Sequence, residues 1–224
     1  MSEKIQNMFA EIADKYDLLN DVLSMGMHRL WKRKLIKLAK PHRDSKILDI
    51  ATGTGDIAFL FSKKSNFVSA IDLTPQMIEI AKKRFPANNP IFSTGDALNL
   101  QYPNDYFDII SISFGIRNVD DVKKALSEMY RVLRPSGRVL ILEFGQPVPP
   151  FSYIYKIYSK YIIPIIGKII SGSNFAYTYL PESSAKFPAG RNFQNLAESL
   201  HLYNNVTTYR LFWGVAYIYL LNKL

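Results

Sequence analysis

The stretch ILDIATGTGDIAFLF, residues 47–61, restricts the fold of this chain more than any other. Ile47–Ala51 is an apolar run broken only by Asp49, the pattern of a parallel strand buried on both faces. A turn carrying Gly53 and Gly55 follows, and the apolar DIAFLF segment behind it reads as a helix, so the segment is a strand-to-helix junction.

The same alternation continues downstream. Phe67–Ile71 is a second strand ending at Asp72. Thr74 then supplies an N-cap and Pro75 a first helical residue, opening a helix to Arg84. Ile91–Thr94 and Phe107–Ser113 are further strands, and Asp120–Leu133 is a helix. Pro135-Ser136-Gly137 turns the chain into a strand at Arg138–Glu143. A helix at Asn192–Leu200 and strands at Val206–Arg210 and Val215–Leu221 complete the chain. Such alternation predicts an α/β fold, a parallel sheet wrapped by helices, in one domain spanning residues 1–224. Two additions interrupt the rhythm. Residues 1–44 form a helical cap. Residues 147–187, rich in Tyr, Ile and Pro, form an inserted cap or a lid over a greasy pocket.

With no cysteine, disulfides and zinc-thiolate sites are excluded. The three histidines, His28, His42 and His201, are too far apart in sequence for a metal site, so no metal is expected. The net charge of +9 suggests an anionic surface, nucleic acid or membrane, as a partner. Arg29, Lys32, Arg33, Lys34, Lys37 and Lys40 alternate with apolar residues at helical spacing, either as a solvated helix face or as a surface for anionic headgroups. The greasiest run, residues 161–170, is about half of what spanning a bilayer requires. The expectation is a cytoplasmic protein, peripheral on the inner face of the membrane.

What the glycine turn holds is a question of charge. Residues 53–58 fit the dinucleotide pattern G-x-G-x-x-A, a weak signal by itself. A pyrophosphate would sit at the helix N-terminus, where Asp56 already stands, with Asp49 close by. Asp72 and Asp96 follow the second and third strands, so four acids fall at the carboxyl edge of the sheet, where such sheets bind ligands. That arrangement favours a cationic ligand without phosphate, and S-adenosylmethionine fits. Gly53 and Gly55 would let backbone approach its methionine part, Asp72 would take the ribose hydroxyls, and Asp96 with Ala97 would meet the adenine.

The segments YDLLNDVLSMGMHRLWKR (Tyr16–Arg33), ATGTGD, SFGIRNVDD (Ser113–Asp121) and MYRVLRPSGRVLILEFG (Met129–Gly145) together resemble the ubiquinone/menaquinone-biosynthesis C-methyltransferases. The resemblance covers nearly the whole chain, including a YLPES segment near residue 180. It departs at Leu19, where methionine is usual, and at Ser136, in place of a glycine of a Pro-Gly-Gly turn. Gly145 stands at a usual serine, and His201-Leu202 at a common Gly-Phe pair. The resemblance implies a seven-stranded, mostly parallel sheet with one antiparallel edge strand. It implies cofactor contacts at Thr54, Asp72, Asp96, Ala97 and Ser113, and methyl transfer to a ring carbon of a polyprenylated quinol. A homodimer, or association with other quinone-biosynthesis enzymes, stays open.

A ring carbon becomes a strong nucleophile once its neighbouring hydroxyl is deprotonated, which for a phenol of pKa about 10 costs about 4 kcal/mol at pH 7. Arg117, in a loop after the strand ending at Ser113, is the candidate to stabilise the oxyanion, with Asn118 beside it. The proton acceptor is a water held by these two, or His28, or Tyr16. Tyr16, Asn20 and His28 are candidate substrate contacts. Three rivals remain: a nicotinamide-dependent oxidoreductase, an RNA methyltransferase, and a membrane-docking module that only binds quinones. Against the second, the chain has SFGIRN where base-amino methyltransferases carry an Asn-Pro-Pro-aromatic motif.

Overall fold

The computed structural model describes residues 3–162, 165–166 and 175–224. Parts of the predicted insertion, at 163–164 and 167–174, therefore lie outside the described residues. Seven strands form one sheet: β1 (Lys46–Ile50), β2 (Phe67–Asp72), β3 (Ile91–Thr94), β4 (Phe107–Ser113), β5 (Leu133–Phe144), β6 (Asn205–Leu211) and β7 (Ala216–Asn222). Their spatial order is β3-β2-β1-β4-β5-β7-β6. The first five are parallel, with Leu48 opposite both Ser69 and Ile110. The reversed strand is β7, which runs antiparallel to both β5 and β6 and so stands one place in from the edge.

The apolar continuity of β1 and β4 is explained by cover on both faces. One face packs under α6 (Val122–Val132) and α9 (Arg191–Glu198), with Leu126, Met129 and Phe193 against Ile110, Ile112 and Tyr219. The other packs under α3 (Met27–Ala39), α4 (Asp56–Ser62) and α5 (Pro75–Arg84), with Trp31, Leu35, Phe61 and Ile78 against Ile47 and Ile109. Alternate residues of each central strand thus feed the two layers.

The expected cap is α1 (Glu3–Ile12), a short 3₁₀ turn, α2 (Tyr16–Ser24) and α3. Met8, Ile12 and Leu19 make a small separate core that meets Tyr158 and Tyr179 of the insertion. Tyr158 lies where α7 (Phe151–Ile157) passes into a π turn at Tyr158–Ile162, and Tyr179 lies on α8 (Phe175–Lys186). Cap and insertion therefore touch across one edge of the sheet.

Local signals set most boundaries. The Asp121 carboxylate accepts from the Lys124 N–H at 2.9 Å, a capping bond that starts α6 at Val122, two residues later than its apolar pattern suggests. Thr74 stands at the N-cap of α5, but its side chain makes no capping bond there. The Asp72 carboxylate instead accepts from the Thr74 N–H at 2.9 Å. The expected turn at Pro135–Gly137 is absorbed into a longer β5, whose pairing with β4 shifts register between Phe107 and Ile109.

Candidate active site

The glycine turn leaves β1 and reaches α4 in left-handed backbone, with Gly53 at φ +56° and Gly55 at φ +90°. The two glycines have different reasons. A Cβ on Gly55 would fall 2.9 Å from the Phe92 ring, so Gly55 lets β3 close against the turn and lines neither of the cavities described below. At Gly53 the turn faces the ring of Tyr16, and its N–H donates to Asp72 at 2.9 Å.

The four rim acids differ in burial and partners. Asp49 is buried beneath the turn, accepting from Thr52 Oγ1 at 2.7 Å and Ser111 Oγ at 2.6 Å. Burial pushes its pKa up to about 6 despite those bonds. Asp72 is also raised by burial, opposed by amide bonds from Thr74 and Gly53. Burial would raise Asp56 too, but Lys32 and Arg84 outweigh it and hold the carboxyl below its ordinary range. Lys32 Nζ stands 2.9 Å from Asp56, and Arg84 bridges Asp56 to Asp17. Asp96 is exposed and caps its own turn through the Leu98 N–H at 2.9 Å. Lys32 thus leaves the supposed surface run and turns inward, buried, because α3 packs directly on α4.

Two cavities meet here. The smaller, about 80 Å³, is lined by Phe9, Asp72, Asp96, Ala97, Ser113 and Asn118, among others. The larger, about 420 Å³, is lined largely by aromatic and aliphatic side chains, including Trp31, Phe114, Phe144, Phe151, Tyr155 and Tyr158. Tyr16, Ala51, Gly53, Ser113 and Phe114 line both and form the boundary between them. The structure therefore gathers Asp72, Asp96, Ala97, Ser113 and Asn118 in the small slot. It gathers Asn20, His28, Asp49 and Thr54 in the large cavity, with Tyr16, Gly53 and Ser113 between. The Thr54 hydroxyl donates to Asp17 of α2 at 2.8 Å, which ties the cap to the turn.

Within the large cavity, Ser24 Oγ donates to the Asn20 carbonyl at 2.6 Å and lies 2.7 Å from His28 Nδ1. His28 Nε2 lies 3.6 Å from Asp21 Oδ1. Burial and the neighbouring Lys32 charge depress His28 to about 4, against Asp21. Burial raises Tyr16, opposed by a hydrogen bond from Asn20 and the charge of Arg117, so Tyr16 stays a neutral phenol at pH 7.

Arg117 is not where the sequence suggested. It lines neither cavity, and its guanidinium is buried behind their wall. Nη1 bonds Glu143 at 2.6 Å and the Phe114 carbonyl at 2.7 Å, and Nε reaches Ser183 at 3.3 Å. Glu143, wholly buried, also accepts from the Phe144 N–H at 2.8 Å. The pair pins the 3₁₀ turn Ile116–Asn118, and the Asn118 side-chain Oδ1 accepts from the Tyr179 hydroxyl at 2.8 Å. Glu143 escaped notice in the sequence, although a single acid inside VLILEF was its signal. Trp31 gave no signal beyond its hydrophobicity, whereas Tyr155 falls in the Tyr-rich insertion read as a cap or a lid over a greasy pocket.

A cofactor at the junction is supported by one atom. Among the described residues, Ser113 Oγ is the buried side-chain oxygen with no hydrogen-bond partner. It stands at the boundary of both cavities, ready for a polar ligand. The turn also fits a phosphate-free ligand: the Gly53 and Gly55 amides already serve Asp72 and the Thr52 carbonyl, and so are not free for a pyrophosphate.

The model of the ubiE/COQ5 methyltransferase family matches residues 1–223. The chain belongs to that family. Among its relatives, the ubiquinone/menaquinone biosynthesis C-methyltransferase UbiE of Bdellovibrio bacteriovorus is 44% identical, over 97% of this chain and 94% of that protein. A demethylmenaquinone methyltransferase of Bacteroides fragilis is 38% identical over 99% of this chain and 93% of its own. Solved structures agree on the fold. A SAM-dependent methyltransferase from Thermotoga maritima superposes with TM-score 0.68 at 19% identity, covering 97% of this chain and 99% of that one. A Haemonchus contortus N-methyltransferase in complex with S-adenosylhomocysteine gives 0.63 at 16% identity, over 86% of this chain and 52% of that one. This ubiE/COQ5 family member is therefore a methyltransferase with the class I α/β sheet.

Proposed function

We propose that the chain methylates a ring carbon of a polyprenylated quinol, using S-adenosylmethionine held in the small slot. The observation that carries this reading is the junction itself: a polar slot with an unpartnered Ser113 hydroxyl opening onto an aromatic cavity across Tyr16. Asp72 would hold the ribose, Asp96 and Ala97 the adenine end, and Gly53, Thr54 and Asp49 the methionine end. Gly55 shapes the turn from behind. When bound, S-adenosylmethionine supplies an electrophilic methyl group. The relatives' names cover both ubiquinone and menaquinone biosynthesis, and a cavity walled by aromatic rings suits either a benzoquinol or a naphthoquinol head.

The chain's residues set the chemistry around the ring. The aromatic walls exclude water, which strengthens each remaining polar contact. Tyr16 and Asn20 position the ring hydroxyls by hydrogen bonds. His28, neutral at pH 7, is the proton acceptor, and Asp21 stabilises the imidazolium. A base of pKa about 4 lies about 6 units below a resting phenol, a gap of about 8 kcal/mol. His28 is therefore best matched to a hydroxyl proton that becomes more acidic as the ring carbon bonds the methyl group. Arg117 acts at a distance: it anchors the turn bearing Asn118, and its charge opposes the burial of Tyr16 and Tyr155, the latter pushed up to about 12.

Contact with an anionic membrane surface belongs to the same reading, since the acceptor resides in lipid. No helix among the described residues is long and apolar enough to cross a membrane. Incubation with deuteromethyl-labelled S-adenosylmethionine and reduced demethylmenaquinone or a 2-methoxy-6-polyprenyl-benzoquinol, followed by mass spectrometry of the lipid, tests the reading. Label on a ring carbon is expected, and a labelled oxygen or an unlabelled lipid refutes it.

A further inference from the structure

The large cavity has a mouth, marked by residues that both line it and face solvent. Met25 is 78% exposed, Ile154 65% and Phe212 47%, and all three line the cavity. They come from three elements: the αα connection after α2, helix α7, and the 3₁₀ tip of the β6–β7 hairpin. Around this mouth the surface stays apolar. Trp213 beside Phe212 is 55% exposed, and Tyr153, Ile157 and Tyr161 extend the exposed face of α7.

Helix α7 is apolar on both sides. Phe151 and Tyr155 line the cavity, while Tyr153 and Ile157 face out. A helix of that kind is covered on both sides or lies at a lipid interface. The hairpin tip is held in place to present its rings. Phe212 at φ +38° and Trp213 at φ +55° occupy left-handed backbone, which bulky residues avoid unless their surroundings impose it. What imposes it is tertiary structure: the Val148 N–H donates to the Trp213 carbonyl at 2.9 Å, and the Phe212 ring stacks edge-on against Phe151, 5.1 Å between centroids. Tyr158 ties α7 to α2 by donating to the Leu23 carbonyl at 2.8 Å, so the three parts of the rim are cross-linked.

Charge indicates what covers this face. Lys156 and Lys160 are exposed on and just beyond α7, and Lys160 Nζ lies over the Tyr161 ring at 5.3 Å. Asp21, on the helix that ends beside Met25, is neutralised by Arg29. Aromatic and aliphatic groups flanked by lysines fit the interface of an anionic bilayer.

We infer that the aromatic hairpin tip and α7 form a bilayer-docking face around the cavity mouth, through which a lipid-borne acceptor enters without crossing water. This rests on the proposed polyprenyl quinol acceptor. It also moves the membrane contact from the basic run on α3 to the rim of the cavity, and Lys32 of that run is buried in any case.

The chain has two tryptophans, and Trp31 is buried, so Trp213 reports on this face. The full chain is mixed with quinol-free phosphatidylcholine vesicles, with or without 30% phosphatidylglycerol, and with brominated lipids as quenchers. Binding that strengthens with phosphatidylglycerol, and a blue-shifted Trp213 emission quenched by bromine, are expected. Trp213→Asn, which suits left-handed backbone, should lower vesicle partition about tenfold. It should also lower methylation of a long-tailed quinol in vesicles, while methylation of a short-tailed quinol in solution stays unchanged. Vesicle binding without quenching of Trp213 overturns the docking face, because another surface is then in contact. No vesicle binding, or a Trp213→Asn protein that loses short-tail activity, overturns it too. So does a dimer that this substitution dissolves, since a second copy then covers the face. If vesicles bind as expected but no quinol of any tail length is methylated, the docking face stands and the acceptor assignment falls.

Discussion

Replacing Arg117 with methionine separates two accounts of this residue. If the guanidinium acts on the acceptor's oxygen, the variant folds normally and turns over slowly. The structure predicts the opposite order of effects. The Arg117 side chain is 5% exposed and that of Glu143 wholly buried, with Nη1 and Oε1 2.6 Å apart. Removing the cation leaves Glu143 with its Phe144 and Arg117 backbone donors and no counter-charge. Breaking such a pair from one side costs about 3–5 kcal/mol. For a domain of this size that lowers Tm by about 10 °C. Substituting Glu143→Gln as well removes the stranded charge, so Arg117→Met/Glu143→Gln should recover much of the loss. Urea unfolding followed by far-UV circular dichroism, beside S-adenosylhomocysteine titration of the folded fraction, gives both quantities. A variant with unchanged stability, or two substitutions whose costs simply add, would refute the anchoring role and return Arg117 to the chemistry.

Three further outcomes follow from the same coordinates. Ser113→Ala removes a buried hydroxyl that has no protein partner, so Tm should hold within about 1 °C while calorimetric affinity for S-adenosylhomocysteine falls about tenfold. Asp49 has a folded-state pKa of about 6 against 3.8 for the free group, so its contribution is fully present below about pH 4 and lost as pH rises through 6. The stability of the native chain relative to Asp49→Asn should therefore fall by roughly 3 kcal/mol between pH 4 and pH 7, at about 1.4 kcal/mol per pKa unit, in urea titrations across that range. Ser136 at φ +61° and His201 at φ +53° hold left-handed backbone at positions where the resemblance gives glycine. Ser136→Gly and His201→Gly should each raise stability by about 0.5–1 kcal/mol in denaturant melts, the relief of left-handed strain exceeding glycine's added chain entropy.

The strands were legible because burial on both faces leaves a signature of continuous Ile, Leu and Val, as in Phe107–Ser113, whose bounds match the structure. Helix starts were less so: Asp121 looks like part of α6 until its carboxylate is seen to cap it. That Asp72, Asp96 and Ala97 line one slot was legible because strand carboxyl ends converge on one edge of the sheet, while Ser113 came from the family resemblance. Arg117 was misplaced because its partner Glu143 lies 26 residues away, and pairing across β4 and β5 has no local pattern. Lys32 was misread for the same reason, its counter-ion Asp56 being brought to it by packing of α3 on α4. Gly145, a departure from the family's usual serine, is explained by a neighbour: a Cβ there would fall 2.5 Å from the Tyr217 ring.

The slot and the cavity share a wall at Tyr16 and Gly53 yet have different outlets: the slot reaches solvent at exposed Asp96, the cavity at Met25 and Phe212. With the proposed docking face in place, spent donor would be exchanged on the aqueous side while the other opening stays pressed to its supply of acceptor. Successive rounds would then proceed during one residence at a surface, with a kinetic order in which neither product must wait for the other to leave.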